Sequence, residues 1–295
     1  MNGRLSWILL LSIFYTSCEK AISFTPREAS AAVVIEATIE NAQPPTVILS
    51  HSLAYFGQIS PDTLANSFIH DAEIYMSNGV LTHRLKEYQL PAGNGYTVYH
   101  YSLDSANLAT AFLGQLNTRY SLEVRVEGKT YTAETTIPAL TKLIQSLWWQ
   151  QAPNNPDTNK VVLMSRTYDP PGYGNYIRYF TRSNKEPFYP GLTSVFDDQI
   201  VDGTTYDIQV EHGVNRNEKI DLEDYAFFYR GDTVTVKLCN IDKATFDFWR
   251  TMEYNYTSIG NPFSTPVKVL SNVKGGALGY FGGYAAQYTT LIIPK

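Results

Sequence analysis

The chain has 295 residues and a formal net charge of −5, from 23 Lys and Arg against 28 Asp and Glu. Its basic residues are scattered, whereas proteins that bind nucleic acid by its phosphates gather Lys and Arg into patches. We therefore exclude nucleic acid as a partner, and a polybasic attraction to anionic lipid is excluded on the same ground.

The N-terminal segment predicts export and lipid attachment. Arg4 precedes an apolar run over residues 5–14, and Tyr15-Thr16-Ser17 then lead to Cys18. A basic head, an apolar stretch of about ten residues and a small-residue break are typical of a secretory signal. The cysteine at its end resembles a bacterial lipoprotein signal, in which the thiol receives a diacylglycerol and the preceding peptide is removed.

This signal also predicts where the protein is held. We predict a signal peptide at residues 1–17 and a lipidated Cys18, with a tether over residues 18–31. The apolar run is shorter than the roughly 20 residues that a transmembrane helix needs, so lipid alone makes the predicted membrane contact. The predicted location is the outer membrane, on its periplasmic face or at the cell surface.

The rest of the chain has the pattern of an all-β protein. Short apolar runs rich in Tyr, Val and Thr are interrupted by turn residues about every ten positions. Asn78-Gly79 favours a hairpin, because both residues accept positive φ. Leu122 and Val124 alternate with charged residues, as in a half-buried strand. For residues 32–138 we predict an immunoglobulin-like or transthyretin-like β-sandwich.

We predict a second β-sandwich with one packed helix over residues 139–295, and interpret residues 139–156 as the crossing into it. Asp242 is a suitable N-cap for a helix near residues 243–257, where Phe246, Trp249 and Met252 recur at a spacing of three. We expect that stripe to be buried. The strands predicted here are residues 161–168, 175–182, 204–211, 227–230, 233–238, 267–270 and 278–293.

Candidate binding residues are few. Asp197, Asp198 and Asp202 cluster around a turn, and calcium prefers several oxygens on a turning backbone. Their spacing does not match an EF-hand, and Asp also favours turns for its own hydrogen bonding, so both interpretations stay open. Trp148 and Trp149 would point to opposite faces of a strand, which makes one of them a candidate ligand or interface residue.

The remaining motifs predict structure rather than chemistry. The histidines lack the spacing of a zinc site, and no Gly-x-Ser-x-Gly elbow is present. Cys239 lies in a strand-like run and is predicted to be a buried, inert thiol. The glycines of residues 275–283 are expected to let strands approach closely. We therefore predict no cofactor, no zinc site and no catalytic residue, and we do not expect an enzyme.

Several stretches together resemble an uncharacterised lipoprotein family of the Bacteroidota. That family is catalogued as a domain of unknown function and is often encoded beside TonB-dependent outer-membrane receptors. The resemblance covers essentially the whole chain and implies a lipidated, envelope-located, mostly β protein without established catalytic residues. The stretches that carry it include Ser17-Cys18-Glu19, residues 33–37, residues 128–133, Asp169-Pro170-Pro171-Gly172, Phe196-Asp197-Asp198 and the glycine-rich residues 272–282.

Three functions follow as hypotheses. The first is an accessory or interaction partner of a TonB-dependent receptor in nutrient capture, which a large exposed apolar patch would favour. The second is a surface glycan- or peptide-binding module, which a cleft with an exposed Trp would favour. The third is a carboxylate-dependent hydrolase. It is weakened because Asp197 and Asp198 are adjacent and would diverge on a strand.

Overall fold

A computed structural model describes residues 31–53, 61–93, 96–259, 261 and 263–295. The predicted signal peptide, Cys18 and nearly all of the tether lie outside these described residues. We call residues 31–138 the N-terminal region and residues 139–295 the C-terminal region. Strands dominate both regions, which confirms the predicted all-β, sandwich-like fold class.

The described residues of the N-terminal region form seven strands, one short α-helix and a 3-10 turn at Leu108–Thr110. Apolar and polar residues alternate along most of these strands, so that one face of each is buried. The elements are β1 (Val33–Glu40), β2 (Thr46–His51), α1 (Pro61–Ala65), β3 (Glu73–Ser77), β4 (Thr82–Gly93), β5 (Tyr96–Leu103), β6 (Thr118–Val126) and β7 (Lys129–Ile137).

In the C-terminal region, the part of the chain that the structure describes forms eight strands and one longer helix. The elements are β8 (Leu143–Gln151), β9 (Lys160–Tyr168), β10 (Tyr176–Ser183), β11 (Tyr189–Phe196), β12 (Thr205–Val210), β13 (Phe228–Tyr229), β14 (Thr233–Ile241), α2 (Lys243–Thr257) and β15 (Leu278–Ile292).

Strand β15 takes part in both regions. Its first part pairs in parallel with β1, and its second part pairs antiparallel with β14. These ladders join eleven strands in the order β11-β10-β14-β15-β1-β2-β5-β4-β3-β6-β7. The predicted boundary near residue 138 stays a prediction. The structure adds that residues 31–295 form one compact unit, and that β15 contributes to both sides of that boundary.

The core of the N-terminal region is closed by the end of the chain. Ile35 of β1 and Ile74 of β3 belong to one cluster of buried apolar side chains. Phe281 and Ala285 of β15 are completely buried in the same cluster. Part of the hydrophobic core of the N-terminal region therefore comes from residues outside the range 32–138.

The C-terminal region is a sandwich of two layers. One layer is the β11-β10-β14 end of the large sheet, and the other is a four-stranded sheet of β8, β9, β12 and β13. Val161 and Leu163 of β9 share a buried cluster with Val234 and Val236 of β14. On the opposite face of β14, Cys239 packs in a second cluster beneath helix α2.

Helix α2 confirms the predicted cap but not the whole predicted stripe. The Asp242 carboxylate accepts a hydrogen bond from Thr245 N at 2.9 Å, as an N-cap does. Phe246 is buried as predicted, whereas Met252 is exposed, so that part of the prediction is wrong. The buried face of α2 includes Phe248 and Glu253 instead. The Glu253 carboxylate accepts a hydrogen bond from Ser194 N of β11.

The sequence analysis did not predict two of the strands, and it predicted one strand that does not form. β8 lies within the segment interpreted as a crossing, and β11 contains Pro190 and Gly191, residue types that usually interrupt strands. Gly191 is required there, because a Cβ at this position would overlap the Tyr179 hydroxyl. Residues 267–270, predicted as a strand, form irregular chain. None of the helices among the described residues is long and apolar enough to span a bilayer.

Candidate functional site

An apolar groove of about 860 Å³ lies between the two layers of the C-terminal region. Ligand pockets in proteins typically measure about 300–1,000 Å³ and are lined by apolar side chains with a few polar groups. Residues of β9, β10, β12 and β14 line this one. The main wall residues are Ser165, Thr167, Ile177, Tyr179, Tyr206, Ile208, Val210, Val236 and Leu238.

The mouth of the groove carries large exposed apolar side chains. Phe196 at the end of β11 is 38% exposed, and Ile208 on β12 is 43% exposed. Ile200, in the loop that connects these two strands, is 96% exposed. Single exposed apolar residues are ordinary, but a group of them around a concave surface is typical of a binding site.

A few polar groups border the same groove. Asp197 and Glu211 line it together with Arg250. The Arg250 guanidinium pairs with Asp247 at 3.7 Å. Within the described part of the chain, neither Asp197 nor Glu211 forms an ion pair with a basic side chain. The groove lining thus holds two carboxylates without an ion-pair partner among the described residues, and one guanidinium that is paired with Asp247.

Glu211 is oriented by a neighbouring tyrosine. The Tyr225 hydroxyl donates a hydrogen bond to Glu211 Oε2 at 3.0 Å. Burial and the nearby carboxylate raise the pKa of Tyr225 to about 12, so this hydroxyl stays a neutral donor at physiological pH. The hydroxyl thus holds the Glu211 carboxylate in place.

The outer edge of β11 is capped by other parts of the chain. Val214 N donates to Pro190 O at 2.8 Å. The Arg216 guanidinium donates to Gly191 O and Leu192 O. Glu253 of α2 accepts a hydrogen bond from Ser194 N at 2.9 Å. Specific donors and acceptors thus replace the strand that would otherwise pair with this edge.

The outer edge of β12 is left open. β12 pairs with β9 along its whole length, and the described residues supply no further ladder partner for it. Asp207 on the face away from the groove forms a two-point ion pair with Arg166, with N–O distances of 2.7 Å. The strand is therefore firmly fixed on one side, with unpaired backbone groups on the other.

A buried ion pair adjoins the groove. Asp169 is completely buried, and Lys142 Nζ lies 2.7 Å from its Oδ1. The side-chain amide of Asn240 fixes the Lys142 backbone, accepting from Lys142 N and donating to Lys142 O. The ammonium group lies 5.6 Å from the centre of the Tyr206 ring, which lines the groove. Burying two charges is costly unless they stay paired, so this contact fixes the segment before β8.

The acidic residues converge, but not in the predicted combination. One carboxylate oxygen from each of Asp169, Asp198 and Asp202 lies within 4.8 Å of the others. Asp197 does not belong to this cluster and lies at the rim of the groove instead. The calcium site stays a prediction, and the oxygen set that the structure offers for it contains Asp169 in place of Asp197.

Asp198 holds a neighbouring loop. Its carboxylate accepts hydrogen bonds from Gly174 N at 3.1 Å and from Asn175 N at 2.9 Å. Burial alone raises the pKa of Asp198, but these hydrogen bonds outweigh burial and lower it. Asp202 accepts from Gly172 N at 2.6 Å in the same manner. The two carboxylates therefore anchor residues 170–175 against the loop that leads into β12.

The tryptophan pair lies on β8, at the edge of the four-stranded sheet. Both rings are half-buried, and neither lines the groove. The Arg166 guanidinium lies 6.0 Å from the Trp148 ring centre, and the Arg230 guanidinium lies 4.7 Å from the Trp149 ring centre. Trp149 also packs against the buried cluster of this sandwich. These contacts explain both rings as packing residues, and their predicted role at an interface stays a prediction.

The predictions of structural roles fit the geometry. Cys239 is completely buried, and burial raises the pKa of its thiol to about 12, so it does not act as a nucleophile near neutral pH. Gly279 has a φ of +101°, and a Cβ there would overlap the carbonyl oxygen of Ile35 on β1. The glycine permits close approach of the two strands.

Sequence reasoning missed the groove, although it predicted one of its walls. The strand over 204–211 was predicted, and the alternation of Tyr206, Ile208 and Val210 was the available signal that one face is apolar. Nothing in that alternation tells whether the face is covered. That depends on β8 and β11, which were not predicted.

Together, the fold and the groove define an all-β sandwich protein with an open apolar groove between two sheets. Residues 19–290 match the family described as Domain of unknown function (DUF4249), and the chain belongs to that family. Among curated proteins, none matches this chain.

Proposed function

We propose that this protein is a lipid-anchored envelope protein that holds a partner or ligand in its apolar groove. In this proposal it is an accessory of a TonB-dependent outer-membrane receptor and takes part in nutrient capture. The observation that carries the proposal is the groove of about 860 Å³, with exposed Phe196, Ile200 and Ile208 at its mouth. Apolar surface of this kind is more stable when a partner covers it.

The lipid anchor is supported by the sequence around Cys18. Two or three acyl chains hold a protein durably at a membrane, whereas one chain holds it marginally. In this proposal a tether over residues 18–31 connects the anchor to β1. The proposed location is the outer membrane.

The receptor partnership is supported by the resemblance of the sequence to a lipoprotein family of the Bacteroidota encoded beside TonB-dependent receptors. Membership in the family with a domain of unknown function agrees with that resemblance at a coarser level. The groove gives the partnership a physical basis, because it offers the apolar surface that an interaction partner would bury.

The alternative is a glycan- or peptide-binding module, and the chemistry of the groove distinguishes these two kinds of ligand. Its walls are mostly apolar, and Trp148 and Trp149 lie outside it. An apolar groove favours a hydrophobic or peptide ligand over a sugar, whose hydroxyl groups need hydrogen bonds when they are buried. The hydrolase hypothesis needs Asp197 and Asp198 to work as a pair. Backbone N–H groups already occupy the Asp198 carboxylate, whereas Asp197 lines the groove.

Co-purification from detergent-solubilised outer membranes tests the proposal. We compare the wild type with Ile208→Glu, which places a charge at the mouth of the groove. The matched control is Val80→Glu, at a residue that is 90% exposed in the N-terminal region. A TonB-dependent receptor, identified by mass, is expected with the wild type and with the control, and is expected to be lost with Ile208→Glu.

Equal recovery of the receptor with Ile208→Glu would contradict a role for the groove. The anchor is tested separately with Cys18→Ala, which is expected to leave an uncleaved precursor or a protein that no longer fractionates with membranes. Normal maturation and outer-membrane fractionation of that variant would contradict lipid attachment.

A further inference from the structure

The open edge of β12 points to the form of the molecule that the groove accepts. We propose that the occupant is an extended segment of a partner polypeptide, which adds to β12 as a further strand. Its alternate apolar side chains enter the groove, and a basic residue at its flank pairs with the acidic rim. This inference rests on the proposed function, since it names what the groove holds.

The contrast between two edges carries the first step. The β11 edge is capped by Val214, Arg216 and Glu253, so its backbone groups are largely satisfied. The β12 edge, across the mouth of the same groove, has β9 as its ladder partner and no second one among the described residues. An open edge is a template for another strand, and natural proteins usually cover or blunt such edges. Here the open edge coincides with exposed apolar surface.

The periodicity of strands carries the second step. Tyr206, Ile208 and Val210 line the groove together with Gln209, while Asp207 is held in its ion pair with Arg166 and does not line it. A strand added to β12 would continue the same sheet, so every second side chain would point into the groove. Main-chain hydrogen bonds would then supply affinity, and the groove would select apolar side chains at alternate positions, as in β-strand addition generally.

Charge carries the third step. Asp197 and Glu211 border the groove without a basic partner among the described residues, and Tyr225 holds the Glu211 carboxylate in place. A flanking Lys or Arg on the incoming segment would be attracted to these carboxylates. The effect of such rim charges is modest and falls as salt rises.

Two other occupants fit less of this geometry. A lipid chain would fill the apolar groove but would leave the backbone groups of β12 without partners. A second copy of the chain, paired through β12, would bring the acidic residues Asp197 and Glu211 of both copies to one interface, where like charges repel. An extended segment with alternating apolar residues and a basic flank would fill the apolar groove, pair with the backbone groups of β12 and attract the carboxylates of the rim.

The test uses a defined probe, the peptide Lys-Thr-Val-Thr-Val-Thr-Val-Lys with blocked ends. Two further peptides carry N-methyl groups on alternate residues, one in each of the two frames, which removes backbone donors and keeps the side chains. A peptide with Gln in place of both Lys residues tests the charge, and palmitate serves as the lipid probe. Binding is measured by calorimetry or fluorescence on the folded chain.

We expect the parent peptide to bind and one N-methylated frame to bind at least about tenfold more weakly than the other. Ile208→Glu is expected to abolish binding, and Val80→Glu to leave it unchanged. Glu211→Gln keeps an acceptor for Tyr225 but removes the charge. It is expected to weaken binding of the Lys-flanked peptide severalfold at low salt and to leave the Gln-flanked peptide unaffected. Circular dichroism and thermal unfolding confirm that each variant is folded.

The outcomes separate this inference from the proposed function. Equal binding of both N-methylated frames, or binding of palmitate without the peptide, would overturn strand addition and leave the groove as a binding site. A wild-type dimer in solution that Ile208→Glu converts to a monomer would overturn it in favour of a second copy. Failure of every probe, together with receptor recovery that is indifferent to Ile208→Glu, would contradict both proposals.

Discussion

The N-terminal and C-terminal regions are both sandwiches of strands, but their interiors are filled differently. In the N-terminal region, side chains from β1 to β7 and from β15 meet in one buried cluster. In the C-terminal region, the layers share a cluster along β9 and β14 but separate toward β11 and β12, where the groove opens. A sandwich can thus be stabilised by a packed core between some of its strands and expose an apolar surface between others.

The largest effect is expected where the N-terminal core is closed. Phe281→Ala removes a completely buried aromatic side chain from β15 and is expected to lower the free energy of unfolding by about 3–5 kcal/mol. Ile208→Ala in the open groove is the matched variant, and its effect is expected to stay within about 0.5 kcal/mol. Urea unfolding measures both. Similar losses for the two variants would mean that the groove is part of a closed core.

The second-largest effect is expected for Gly279→Val, which should lower the free energy of unfolding by about 3 kcal/mol. The substitution adds a clash with β1 to the strain of a positive φ. Gly276→Val is its control. Gly276 has a φ of +91°, but no atom lies within 4 Å of a Cβ built there. Thermal unfolding of both variants separates the clash from the strain. If Gly279→Val were as stable as wild type and lost only receptor capture, the segment would be a functional loop instead.

Glu253→Ala is expected to lower the free energy of unfolding by about 2–3 kcal/mol. It removes a buried carboxylate that accepts from Ser194 N and from Arg216 Nη2, the latter at 3.0 Å. Ser194 N then loses this acceptor, and Arg216 keeps only the carbonyl groups of Gly191 and Leu192. The variant also uncovers the β11 edge, so we expect it to aggregate more readily than wild type. Glu223→Ala, at an exposed position, is the control. Urea unfolding and light scattering give the two readouts, and unchanged stability would contradict the capping role.

The smallest effect is a pH dependence in the loop beside the groove. The lowered pKa of Asp198 means that its contribution to stability is fully present above the unfolded value of about 3.9. It is lost as pH falls through the folded value. The stability difference between wild type and Asp198→Asn should therefore shrink on acidification below about pH 4. Urea unfolding across this range measures it, and a difference independent of pH would show that Asp198 is not held as a carboxylate.

Much of the N-terminal region could be predicted from the sequence, because alternation and turn residues are local signals. Helix α2 was also predictable, since Asp242 and Phe246 are close in sequence. The missed strands lacked such signals, because Trp148-Trp149 breaks alternation in β8 and Pro190-Gly191 suggests a turn in β11.

The site was harder to predict than the strands, because it consists of relations between distant segments. Asp169 joins Asp198 and Asp202 across an intervening strand pair. The groove exists because β12 stands apart from β11, and no property of either strand alone determines that separation.

The pairing of β1 with β15 has a consequence for how the chain folds. Asn41, just after β1, bonds to Ala286, which lies 245 residues further along the chain. Contacts between such distant positions form late and slow folding, because a long loop must close before they are made. A chain that is synthesised from its N-terminus would therefore expose an incomplete first sandwich until β15 is available to pair with β1. During that interval the unpaired edge of β1 is open to aggregation, and a chaperone that covers it would raise the yield of folded protein.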